Sequence, residues 1–162
     1  MHHFGRRIRD QDVVPAISLG LVDAAGGDVM YARVLVVDDE EVIGLLVRRA
    51  LRGHEVTVMT SAVDALASIK AGVTYDLILS DVMMPAMSGV EFYRALMEDA
   101  PDQAAVLVFL SGGSLPAATD AFVRSAGNHC MDKPFVLKEL KTFVEVRLAE
   151  RVRASLRSGD EP

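Results

Sequence analysis

The sequence predicts an α/β domain, a doubly wound parallel sheet of five strands with five helices in three layers. Two observations carry that expectation. Short β-branched apolar runs alternate with segments of helical period, and Gly, Pro or Ser punctuates the joins. A third fixes where the chemistry lies. Asp38-Asp39, Asp81 and Lys133 each stand just past the end of an apolar run, so a parallel sheet brings them to one rim.

Each element follows in order. Residues 33–37 (RVLVV) form an apolar run of strand length, as suits a strand buried on both faces. From Glu40 to Leu51 apolar residues recur at 42, 43, 46, 47, 50 and 51, a helical period, and Gly53 closes it. Positions 43, 46, 47 and 50 are expected in the core, with Val42 and Leu45 pointing outward. Residues 55–59 (EVTVM) form the second strand. Ser61 caps a helix reaching about Ala71, with Asp64 in its first turn and Gly72 after it. Residues 75–80 (YDLILS) form the third strand. A loop with Pro85 and Gly89 leads to a helix from about Val90 to Asp99, stopped near Pro101. Residues 104–110 (AAVLVFL) form the fourth strand, Gly112-Gly113 a turn, and Pro116 to Ser125 the next helix. Asn128–Met131 is a short fifth strand. The last helix runs from Phe135 or Val136 to about Arg153, apolar at 136, 137, 140, 143, 144 and 148.

The 162 residues fit one domain over residues 31–153, with a loose N-terminal arm over 1–30 and a polar tail over 154–162. A short helix over 12–22 is the other reading of the arm. The chain is 51% hydrophobic and 25% charged, so it can bury a core. Its net charge of -6 argues against a nucleic-acid surface, which needs a basic stripe. No run approaches the roughly 18–20 apolar residues that span a bilayer. Residues 13–22 loosely resemble a secretion signal, but Asp10 and Asp12 flank them and Pro15, Ser18 and Gly20 interrupt them, so a cytoplasmic location is expected. Cys130 is the single cysteine, which rules out an internal disulfide, and it is expected as a small core residue of a strand. The four histidines lack metal-ligand spacing and read as structural.

Three carboxylates and a lysine on one rim suit a divalent cation and a phosphoryl group. Mg²⁺ takes oxygen ligands, including one or two carboxylates, and keeps waters for phosphate oxygens. A carboxylate ionised beside it can attack phosphorus. An acidic pair at a strand end is by itself only a helix-start signal; that does not account for Asp81 and Lys133 at matching ends.

Four blocks then carry a resemblance: VLVVDDE (34–40), LILSDVMMPAMSG (77–89), VFLSGG (108–113) and MDKPF (131–135). In this order they closely resemble the receiver domain of two-component response regulators, over about residues 32–150. The resemblance implies a flavodoxin-like sheet. It implies Asp81 as phospho-acceptor, Asp38 and Asp39 as the acidic pair for Mg²⁺, and the Met83 backbone carbonyl as a further metal ligand. It implies Ser111 as the hydroxyl residue, Lys133 as the lysine, and a cis bond at Lys133-Pro134. The implied partner is a histidine kinase or histidine phosphotransfer protein; separately, the outward apolar pair Val42 and Leu45 on the first helix offers a place for a partner's helix. No enzyme activity is expected beyond self-phosphorylation and slow loss of the phosphate, since Met83 and Gly113 at the tuning positions cannot orient water. The family usually has an aromatic residue three positions before the lysine; here it is Cys130. With no output domain expected, the chain reads as a stand-alone receiver, similar to receivers of hybrid histidine kinases, that signals by partner binding or relay. Two alternatives stand beside it: a docking module that works without phosphorylation, and an aspartyl-phosphate hydrolase. The hydrolase needs a second Asp two residues after a nucleophile on the first strand, and Asp38 is followed by Asp39-Glu40.

Overall fold

Four apolar residues in a row, Val34–Val37, are fully buried in β3 (Arg33–Val37). Such a strand has no solvent face, so helices must cover both sides of its sheet. The computed structural model describes residues 18–22 and 28–158, with side chains from Tyr31 onward. After β3 come α1 (Glu41–Ala50), β4 (Glu55–Met59), α2 (Ala62–Lys70), β5 (Leu77–Asp81) and α3 (Gly89–Asp99). They are followed by α4 (Pro101–Ala104), β6 (Leu107–Gly112), α5 (Ala117–Ser125), β7 (Cys130–Lys133) and α6 (Leu137–Ser158). The five strands form one parallel sheet in the order β4-β3-β5-β6-β7. The order reverses direction beside β3, which opens a crevice at the carboxyl ends of β3 and β5.

Alternate residues of each strand feed two cores. Val34, Val36, Leu79, Val108 and Leu110 pack with Val47 of α1 and Leu140, Val144 and Leu148 of α6. Leu35, Val37, Ile78 and Phe109 pack with Ala65 of α2, Phe92 and Leu96 of α3 and Val123 of α5. The predicted three layers and five parallel strands are therefore present.

The helices number six among the described residues, not five. Pro101 does not merely stop α3; it starts α4, because its fixed φ suits the first helical position. Gln103 then pins this turn through two hydrogen bonds to the Tyr75 backbone, at 2.8 and 3.1 Å. Ala104 is consequently helical and β6 starts later than residue 104. The rim residues move into the ladder: Asp81 pairs with Leu110, Ser111 with Asp132 and Gly112 with Lys133. Helix α6 continues past Arg153 to Ser158.

Two expectations about burial are corrected. Leu46 is exposed, together with Val42 and Leu45. Gly44, not Leu46, faces the sheet, because a Cβ there would lie 2.2 Å from Cγ1 of Val58. The helix thus seats on its glycine and turns Leu46 outward. Cys130 is also exposed. It lies on β7, the edge strand, which has a neighbour on one side only.

Within the expected arm, β1 (Ser18–Val22) and β2 (Asp28–Tyr31) pair antiparallel. Residues 18–22 are therefore strand and not helix; the rest of the proposed 12–22 helix lies outside the described residues.

Candidate functional site

The rim is assembled by strand ends and by the first turns that follow them. Asp38 follows β3 directly, and its backbone N–H donates to the Met59 carbonyl at 3.1 Å. Its side chain is fully buried, and one carboxylate oxygen accepts from the Glu40 N–H at 3.0 Å. The other oxygen accepts from Lys133 Nζ at 2.5 Å. Asp39, next in the chain, is exposed. Asp81 ends β5 and is 6% exposed, with Lys133 Nζ 3.5 Å from its Oδ1. Asp38, Asp39 and Asp81 each offer an oxygen within 4.8 Å of the others.

Burial pushes the Asp81 carboxyl up to about 6, and the charges of Asp38 and Asp39 add to the rise. Lys133 and the Met83 N–H, which donates to this carboxylate, act the other way without cancelling it. For Lys133, burial works against its charge, yet the hydrogen bond and charge of Asp38, with the charge of Asp81, raise its pKa overall. The site therefore carries more negative charge than one ammonium can neutralise. Three carboxylates without nitrogen or sulfur donors fit a hard divalent cation such as Mg²⁺.

Ser111 is buried at the end of β6, one residue past the Asp81–Leu110 pair. Met83 is exposed on the loop after β5. The Lys133-Pro134 peptide is cis, and β7 carries Lys133 itself into the ladder beside Gly112.

Gly89 was legible only as a loop residue, yet it holds the acceptor end of β5 in place. Its N–H donates to the Val82 carbonyl at 2.8 Å, and a Cβ there would fall 2.1 Å from the Asp81 carbonyl oxygen. Helix α3 can start this close to Asp81 only from glycine. Ser88 and Glu91 then form a reciprocal capping box. The S-x-x-E spacing is visible in the sequence and could have set this boundary.

The rim is distinct from a groove of about 560 Å³ at the opposite end of the sheet, lined by Asp76, Asp102, Arg147 and Arg151 among others. None of the three rim carboxylates lines it.

A family model described as the response regulator receiver domain matches residues 34–145. The chain belongs to that family. The receiver is 37% identical over 127 residues to sensor kinase CckA of Brucella abortus, covering 74% of this chain and 13% of the kinase. It is 30% identical over 136 residues to the DNA-binding response regulator MtrA of Mycobacterium bovis, covering 83% of this chain and 54% of that protein. The chain thus spans about half or less of these relatives. The crystal structure of NtrX from Brucella abortus in complex with ADP matches with TM-score 0.71 and 26% identity, over 82% of this chain and 30% of that one. Among the described residues, no helix of this receiver is long and apolar enough to cross a membrane.

Proposed function

We propose that this receiver accepts a phosphoryl group onto Asp81 from a phosphohistidine of a histidine kinase or phosphotransfer protein, in the cytoplasm. The observation that carries the reading is the buried Asp81 beside Asp38, with Lys133 Nζ within reach of both carboxylates. Family membership supports it.

Asp38, Asp39 and Asp81 would hold Mg²⁺, with the Met83 backbone carbonyl as a further oxygen ligand. Bound there, the cation would offset carboxylate repulsion and draw charge from phosphate oxygens. The chain's own residues do the rest. Ionised Asp81 attacks phosphorus, the P–N bond to the donor imidazole breaks, and the ring nitrogen leaves with the electron pair. Asp38 orients the ammonium of Lys133, which faces the developing charge on the phosphoryl oxygens. Ser111 offers a hydroxyl to another oxygen. Drawing that hydroxyl toward the new group pulls on the Gly112-Gly113 link, a local contact with a wider readout.

The exposed Val42, Leu45 and Leu46 on α1 suit an amphipathic helix of the donor. Beyond this self-catalysed step and slow loss of the phosphate, we propose no enzyme activity. A docking role without phosphorylation is the second reading, which the same experiment separates. A phosphohistidine donor carrying labelled phosphate is mixed with the receiver and magnesium. Base-labile label on the receiver, removed by Asp81→Asn and by a chelator, supports acceptance. Tight binding of donor with no label transferred overturns it.

A further inference from the structure

Helix α6 reaches Ser158, while the family match ends at residue 145. Its core row is Leu140, Val144 and Leu148, all fully buried. One turn further, Arg151 and Ser155 continue that side of the helix, so an apolar face becomes polar while still turned toward the domain. Both residues line the groove of about 560 Å³ at the amino ends of the strands. That volume lies within the roughly 300–1,000 Å³ of small-ligand pockets. Every α6 residue in the groove wall falls after residue 145, so the groove is built by the stretch beyond the family match.

The charged groups of the groove fall into two sets. Three are engaged: Arg147 Nη1 donates to Glu150 Oε2 at 2.8 Å, and buried Asp76 accepts from the Arg33 N–H at 2.8 Å. Two are not. Half-buried Arg151 and exposed Asp102 both line the groove, and among the described residues neither has a hydrogen bond or an ion pair, with each other or with another group. Asp76 and Asp102 are close enough for their charges to act on Arg151. Burial nevertheless pulls the Arg151 guanidinium below its ordinary pKa, so its charge is under-compensated. A cation and an anion that share a groove without pairing suit a ligand that carries both charges. Ala105, Ala154 and Ser155 are too small to fill the space, and Leu77 and Val106 add apolar wall.

We propose that this groove is a binding site for an apolar α-amino acid. The planar guanidinium of Arg151 takes the α-carboxylate through two parallel hydrogen bonds. Asp102 accepts from the α-ammonium, and the apolar side chain lies against Leu77, Val106 and Ala154. The site is at the far end of the sheet from Asp81 and does not depend on Asp81 being the acceptor.

Titration of the full, isotope-labelled chain with L-leucine, read from backbone amide shifts, tests this. Saturable shifts at residues 105–106 and 151–155 are expected in wild type and equally in Asp81→Asn. Leucinamide lacks the carboxylate and isocaproate lacks the ammonium. Each is expected to bind at least about tenfold more weakly than leucine, as loss of a charge-assisted hydrogen bond implies. Asp102 is exposed, so Asp102→Asn is expected to fold; it weakens leucine by a similar factor and does not weaken isocaproate. Arg151→Gln weakens both. No saturable shift with L-leucine or L-phenylalanine at millimolar concentration overturns the site. Isocaproate binding as tightly as leucine, with Asp102→Asn unchanged, marks a simple anion site and overturns the amino-acid assignment. Leucine binding equally to Arg151→Gln and wild type overturns it as well.

Discussion

Asp81 sits where two demands conflict. The nucleophile must be ionised, yet burial and its acidic neighbours hold its carboxyl at about 6. The ordinary value is 3.8, so the folded protein binds this proton more tightly than the unfolded chain. Stability is therefore undisturbed by this group below pH 3.8, declines as pH rises toward 6, and carries the full cost above that. The cost is on the order of 3 kcal/mol for a shift of this size. Asp81→Asn should raise metal-free stability at neutral pH by about 1–3 kcal/mol and flatten the decline, as denaturant unfolding between pH 4 and 7 would show. Magnesium should stabilise wild type by mass action and the variant far less. Gly89→Ala belongs at the same scale. Its Cβ would meet the Asp81 carbonyl oxygen, so a loss of about 2 kcal/mol or more is expected, together with weaker loading of Asp81. The three carboxylates and the lysine were legible in the sequence because each ends an apolar run. The hydrogen bond that gives Lys133 chiefly to Asp38 was not, since it joins residues 95 positions apart.

Elements show most plainly where periodicity suffices and where it fails. The strand cores were readable because runs such as Val34–Val37 have no polar face to misplace. The boundaries were less so. Pro101 was read as a stop although proline also starts helices, and only the long-range bonds of Gln103 to Tyr75 decide between the two. The period of α1 includes Leu46, yet Val58 on β4, beneath the helix, selects Gly44 for the interior. That choice leaves three apolar side chains on one exposed face beside the acidic rim. Leu46→Glu should change stability by no more than about 0.5 kcal/mol, as surface positions generally do. Phosphotransfer from the donor should slow markedly, while loading by a small phosphodonor stays at the wild-type rate. Equal slowing with both donors would place the defect in the site rather than in docking. The exposure of Cys130 follows from the sheet order, which makes β7 an edge. Nothing in the residues around Cys130 announces which strand lies outermost.

At the scale of the whole molecule, one sheet does two jobs. Its two faces bury the apolar residues under α1 and α6 on one side and α2, α3 and α5 on the other. Its carboxyl rim collects charge that such a core would exclude, and Lys133, placed against both buried carboxylates, offsets part of the repulsion. The order β4-β3-β5-β6-β7 brings Asp38 and Asp81 to adjacent strands and sets Lys133 two strands away from Asp81, within reach of both. The account therefore stands on Asp81 as acceptor. The most direct measurement is the intact mass of wild type and Asp81→Asn after incubation with magnesium and a small phosphodonor. One added phosphoryl group on wild type only, absent when a chelator is present, is the predicted result. An unmodified wild type with its fold intact, or equal modification of both proteins, would contradict it.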